Sequence, residues 1–305
     1  MKFSKEKENS IIHDYLNGEN TVQIAKKWNT YNTSIRRVLL RNNILIRSNV
    51  IARTNVPVCP FKDGDEYSEY FLGLLLTDGC ISRRTANSAT ITLSLIDEEI
   101  VNEFQNFICP SNKVCKVLNK KYNVYMYSSS TRSKLIADWL DNKGNFYNKS
   151  YECDIYTPIT SHILRGIFDG DGYCTKRNNG STFCYGICGK SRIFLEKIQK
   201  YLETKNIYFK LYDRKKLYYL ESSKTVEVLK FYNLIYNEAH IYLKRKYDKG
   251  HLFWETLREK FSKFKEGVAS PNPEPSRNSY HYLINKNNGQ FIMEGAETIM
   301  RLLSL

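Results

Sequence analysis

Two stretches of this 305-residue chain are copies of one another. Phe71-Leu72-Gly73-Leu74-Leu75-Leu76-Thr77-Asp78-Gly79 and Leu164-Arg165-Gly166-Ile167-Phe168-Asp169-Gly170-Asp171-Gly172 share an apolar run, a glycine at the third position and a closing Asp-Gly. Asp78 and Asp171 lie 93 residues apart. Taken as buried helices, the runs each forgo a side chain at Gly73 and Gly166, at a cost of about 1 kcal/mol relative to alanine. Close approach of a second backbone recovers that cost, so the two helices are expected to pack through these glycines. Gly79 and Gly172 then read as C′ glycines that end each helix. Asp78 and Asp171 fall in the last turn, where the helix dipole opposes a carboxylate by roughly 0.3–1 kcal/mol. Side-by-side packing adds mutual repulsion. A divalent cation relieves both, and Mg²⁺ takes one or two carboxylates while filling its other positions with water and phosphate oxygens. One Asp-Gly pair alone would be an ordinary turn; two in the same frame are not.

The sequence between the copies repeats as well. Strands are expected over Cys80–Thr85, Ala89–Leu95, Val114–Leu118 and Tyr122–Ser128, with helices over Asp97–Ile108 and Thr131–Asn142. The second half offers strands at Tyr173–Arg177, Thr182–Cys188, Phe209–Arg214 and Leu217–Ser222, and helices at Ser191–Lys205 and Thr225–Tyr242. Asp97 and Lys190 each stand 19 residues past their acid, which sets Ile100 and Val101 opposite Ile193 and Phe194. The expectation is an α+β fold with αββαββα twice, a pseudo-dimer in one chain that places its two acids equivalently about a nearly two-fold axis. Boundaries are expected at 67–153 and 154–250.

Ahead of the first repeat, residues 8–48 read as a small all-α helix-turn-helix within a domain spanning 1–50. Ile11, Ile12, Tyr15 and Leu16 mark the first helix, Thr21 caps a second, and Asn32 or Thr33 caps a third whose Ile35, Val38 and Leu39 face inward. Asn32, Thr33, Arg36 and Arg37 are then free to face a major groove. A linker is expected over 51–66. Beyond the repeats, 251–279 reads as a helix end and a linker carrying Pro271, Pro273 and Pro275, and 280–305 as a small C-terminal module.

The net charge of +14 and pI of about 9.2 point to a polyanion partner, most often nucleic acid. No apolar run reaches the ~18 residues of a membrane span, and Met1–Lys7 lacks the apolar stretch of a signal peptide. An intracellular protein, in cytoplasm or host nucleoid, without membrane partners is expected. The eight cysteines are scattered, and Cys184 and Cys188 find no second close pair to complete a zinc spacing.

Both motif copies resemble the signature of the LAGLIDADG homing endonucleases in their single-chain, two-motif form. The earlier, variable acid position of that signature is Leu76 in the first copy and Asp169 in the second; the essential acids match Asp78 and Asp171. The resemblance implies a duplicated homing-endonuclease fold with saddle-shaped antiparallel sheets. It implies a monomer that acts as a pseudo-dimer on double-stranded DNA with a long asymmetric target site. It also implies hydrolysis of both strands across the minor groove with Mg²⁺ (or Mn²⁺), leaving short 3′ overhangs. Asp78 and Asp171, with the carbonyls of Thr77 and Gly170, would hold the cation. Lys246 and Lys149 match the lysine that ends each family repeat. Arg83, Arg84, Lys176 and Arg177, five and six residues past each acid, are expected on the DNA face, with some of Tyr122, Tyr125, Tyr127, Tyr212, Tyr218 and Tyr219. An intron-splicing maturase or a non-cutting regulator on the same fold is the alternative.

Overall fold

The computed structural model describes residues 3–17, 19–42, 44, 58–85, 88–177, 182–265 and 301. Two compact units, Met1–Arg53 and Thr54–Leu305, divide the chain.

In the first unit, three helices close on a core of Ile11, Tyr15, Ile24, Ala25, Ile35, Val38 and Leu39. They are α1 (Lys5–Leu16), α2 (Thr21–Lys27) and α3 (Asn32–Arg41). The caps differ from expectation. Asn20, not Thr21, caps α2, in a box closed by Gln23: its short amide reaches the free N–H groups of the first turn. Tyr31 holds the cap position of α3 without a side-chain bond, which leaves Asn32 and Thr33 inside the helix. Asn32, Thr33, Arg36 and Arg37 are all exposed.

The second unit begins earlier than expected. Phe61 is buried, stacked on Trp139 and edge-on to Phe107, so the last part of the expected linker belongs to the core. Asp65 then caps α4 (Glu66–Asp78) by accepting from the Ser68 N–H at 2.9 Å. There follow β1 (Gly79–Thr85), β2 (Ser88–Leu95), α5 (Glu98–Ile108), β3 (Cys115–Asn119), β4 (Val124–Arg132) and α6 (Lys134–Asp141). The connection to the second repeat holds three short elements that the sequence did not announce: β5 (Gly144–Asn145), α7 (Lys149–Glu152) and β6 (Asp154–Ile155). The second repeat is α8 (Ser161–Asp171), β7 (Gly172–Arg177), β8 (Thr182–Gly189), α9 (Arg192–Thr204), β9 (Lys210–Arg214), β10 (Leu217–Ser222) and α10 (Thr225–Tyr236). The helix expected to run to Tyr242 stops at Tyr236, and Glu238 turns the chain with φ 55°. A further helix, α11 (Lys244–Lys265), follows.

Each repeat builds one antiparallel four-stranded sheet with the same strand order, β1-β2-β4-β3 and β7-β8-β10-β9. The αββαββα order is therefore present twice, around one core in which α4 packs on α8. The match between halves slips by one residue after the first hairpin. Asp97 and Ser191 occupy the cap positions of α5 and α9, so Ile100 and Val101 correspond to Phe194 and Leu195, all buried, while Ile193 is exposed. Residues 264–279 and the tail at 280–305 lie, apart from the end of α11 and Arg301, outside the described residues.

Candidate active site

The site is built where α4 and α8 end side by side. Their approach depends on the two motif glycines. A Cβ added to Gly73 would stand 2.1 Å from the carbonyl oxygen of Ile163, and one added to Gly166 would stand 2.0 Å from that of Tyr70. Both are backbone clashes that no rotamer relieves. At the helix ends the contact is tighter still: a Cβ at Gly170 would meet Thr77 Oγ1 at 1.9 Å and Asp78 Oδ2 at 2.9 Å. The Asp78 carboxylate thus lies against the backbone next to Asp171.

Gly79 and Gly172 do not end their helices in the left-handed conformation. Their φ values are −78° and −77° with extended ψ, and each opens a strand. Glycine is needed there for room: a Cβ would lie 2.7 Å from the Leu75 carbonyl oxygen at Gly79 and 2.4 Å from that of Phe168 at Gly172. The chain passes straight from motif helix into strand, which leaves the last-turn carbonyls without helical partners.

Two lysines take up those carbonyls in the same pattern. Lys149 Nζ donates to the carbonyls of Leu75 (3.0 Å), Thr77 (2.8 Å) and Gly79. Lys246 Nζ donates to those of Phe168 (2.7 Å), Gly170 (2.9 Å) and Gly172 (2.6 Å). The acceptor sets are equivalent residue for residue between the repeats. Each ammonium sits at the negative end of a motif helix, where the dipole favours it. Each stands on the first turn of a helix, Lys149 opening α7 and Lys246 in α11.

The acids and lysines form one electrostatic group. Asp78 and Asp171 are both exposed to solvent, yet each stands among enough protein atoms to lose part of its hydration. Burial raises Asp78 above the usual carboxylate range, against the pull of Lys149 and Lys246. Burial and then the charge of Asp78 push Asp171 up to about 6. Burial depresses Lys149, and brings Lys246 down to about 8. Two crowded carboxylates flanked by helix-terminal carbonyls make an all-oxygen donor set. That suits a hard divalent cation that keeps water and takes phosphate oxygens. Among the described residues no group of three or more His, Cys, Asp or Glu offers a metal cage.

The expected DNA-facing residues are spread more widely. Arg83 is committed within the fold. Its Nη2 meets Asp138 at 2.7 Å and Asp141 at 2.6 Å, and its Nε meets Tyr147 at 3.0 Å. A guanidinium fork so occupied is not free for a phosphate, and these acids on α6 gave no sign in the strand pattern. Lys176 is exposed on β7, its ammonium 5.5 Å from the Phe183 ring. The side chains of Arg84 and Arg177 lie outside the described residues. Tyr122, Tyr125 and Tyr212 are exposed, Tyr127, Tyr218 and Tyr219 half-buried.

Two buried charged residues of α8 were given no role by the sequence reading. Arg165 is 1 % exposed and pairs with Glu66 while donating to the Ile235 carbonyl at 2.9 Å. Asp169 is fully buried. The signal for both was a charge inside an apolar helical run.

Residues 160–238 match the family model described as LAGLIDADG-like domain. No sequence match was found among curated proteins. Solved structures with a similar shape include the homing endonuclease I-WcaI bound to its DNA recognition sequence, at 18% identity and TM-score 0.45 over 60% of this chain and 85% of that one. The LAGLIDADG meganuclease I-AabMI bound to uncleaved DNA superposes with 11% identity and TM-score 0.44 over 67% and 93%. I-DmoI in complex with DNA and Mn does so with 16% identity and TM-score 0.41 over 58% and 98%. These superpositions are too loose to add weight to the family match and the duplicated motif. Residues 160–238 are matched as a LAGLIDADG-like domain, and the preceding repeat shows the same order of helices and strands around the same motif.

Proposed function

We propose that the chain is a site-specific, divalent-metal-dependent endodeoxyribonuclease that cuts both strands of a long asymmetric DNA site across the minor groove, leaving short 3′ overhangs. One observation carries the reading. Two acids from equivalent helices are crowded together at the helix ends, each beside an equivalently placed lysine. Folding gains nothing from crowding the acids: both carboxylates are pushed toward their neutral forms.

Asp78 and Asp171, with the Thr77 and Gly170 carbonyls, would hold Mg²⁺ or Mn²⁺. When bound, the cation neutralises charge at the scissile phosphate and makes a coordinated water more acidic. The chain's own residues prepare that chemistry. Lys149 and Lys246 fix the orientation of the motif carbonyls and offset the carboxylate charge. The glycine contacts hold the two acids at one spacing. Each sheet is covered by helices on one face, and the other would lie along DNA, with Lys176 and exposed tyrosines contributing. The residues of α3 at 32, 33, 36 and 37 would extend the contact, and the chain would act as a monomeric pseudo-dimer on an intron-homing target.

The test is cleavage selection. Purified protein is incubated in Mg²⁺ with a plasmid library carrying randomised inserts, and the cut ends are sequenced. Recovery of one long sequence with 3′ overhangs is the expected outcome. No cutting in Mg²⁺ or Mn²⁺, together with tight binding of host intron RNA, would replace this reading with a maturase.

A further inference from the structure

Asp169 lies two residues before Asp171 on α8, with no exposed surface. A carboxylate in such a place is costly unless every oxygen is satisfied. Here three donors converge on it. Tyr70 donates its hydroxyl to Oδ2 at 2.9 Å, Tyr236 donates to Oδ1 at 2.6 Å, and the backbone N–H of Leu243 donates to Oδ2 at 2.6 Å. Tyr70 belongs to α4, Tyr236 ends α10, and Leu243 lies just before α11.

The third donor matters for the site. The carbonyl of Leu243 accepts from the backbone N–H groups of Lys246 at 2.9 Å and Tyr247 at 3.1 Å. Leu243 therefore begins the turn from which Lys246 reaches the motif carbonyls, and Asp169 grips that turn at its first residue. The first repeat lacks this device. Leu76 stands where Asp169 would be, and Phe146, three residues before Lys149 as Leu243 is before Lys246, is simply buried. Lys149 instead follows Asn148 in the left-handed region (φ 48°), whose Nδ2 donates to Glu152 at 2.8 Å.

We propose that Asp169 is a positioning residue for Lys246 alone, so that the two otherwise equivalent lysines of the site are held by different means. The consequence for cutting rests on the nuclease reading; the placement itself is testable without DNA. Asp169→Ala leaves three buried donors without an acceptor, and Asp169→Asn keeps one oxygen for the Leu243 N–H. The full-length wild type and both variants are labelled with formaldehyde and cyanoborohydride. Modification of Lys149 and Lys246 is then quantified by mass spectrometry, alongside thermal melting.

Loss of hydrogen bonds to a charged acceptor in D169A should raise Lys246 labelling by about tenfold or more, with Lys149 unchanged. D169N should show a smaller rise, again on Lys246 only. A general loosening would expose both lysines together, and that result, or no change at Lys246 in a folded variant, overturns the proposal. If D169A does not fold, D169N decides on the same criterion. On a supercoiled plasmid bearing a recovered target, D169A should accumulate nicked circles, and equal slowing of both strands would contradict the asymmetry. A wild type that cuts nothing would remove the nuclease reading and leave the labelling result intact.

Discussion

Asp171 is held well above the ordinary carboxylate range by its place between the motif helices. Its carboxyl is pushed up to about 6, first by burial and then by Asp78. The folded protein therefore holds this proton where the unfolded chain would release it. Any stability gained this way is complete below pH ~4 and is lost as pH rises through about 6. The carboxyl ¹³C resonance of Asp171 in metal-free protein should titrate near 6. Asp78→Asn removes a negative neighbour, so the midpoint should fall in that variant. A midpoint near the ordinary value of 3.8 in wild type, unmoved by Asp78→Asn, would show that the two acids do not face each other. The acids themselves were legible from two Asp-Gly pairs in one frame. The lowered acidity of Asp171 was not, because it depends on how closely two distant helices approach.

Among the elements, the motif helices set everything else. Gly73 and Gly166, whose place in mid-helix suggested close approach, lie where a Cβ would run into the backbone of the other motif helix. Gly166→Ala gains about 1 kcal/mol in helix propensity and must push a Cβ into the Tyr70 carbonyl. A net loss of about 2–4 kcal/mol in urea unfolding is expected, with a similar loss for Gly73→Ala. A neutral effect would mean that α4 and α8 are further apart than described. Strands and helices within the repeats followed their hydrophobic patterns. The misses were where tertiary contact overrides pattern. Phe61 docks beside Trp139 and Phe107 from within an expected linker. The α10 helix stops at Tyr236 so that the chain can turn and present Lys246. Arg83 is drawn to Asp138 and Asp141, 55 and 58 residues away in sequence, a pairing no local spacing announces.

Taken whole, the molecule combines a duplicated αββαββα fold with a basic charge of +14. Among the described residues no helix is long and apolar enough to cross a membrane. Under the proposed function, the three-helix unit adds affinity through exposed cations on α3. Replacing Arg36 and Arg37 together by alanine should make the dependence of log Kd on log salt shallower by about 2, one unit for each lost phosphate contact. Unchanged slopes in fluorescence anisotropy would remove that unit from the interface. The central claim is that Asp78 and Asp171 act together. Cleavage of a target plasmid in Mg²⁺ by wild type, Asp78→Asn and Asp171→Asn tests it directly. The account predicts that each single substitution lowers double-strand cutting by about 10³-fold or more, the loss of about 4 kcal/mol of transition-state stabilisation, while DNA binding persists. Wild-type cutting by either variant would contradict it.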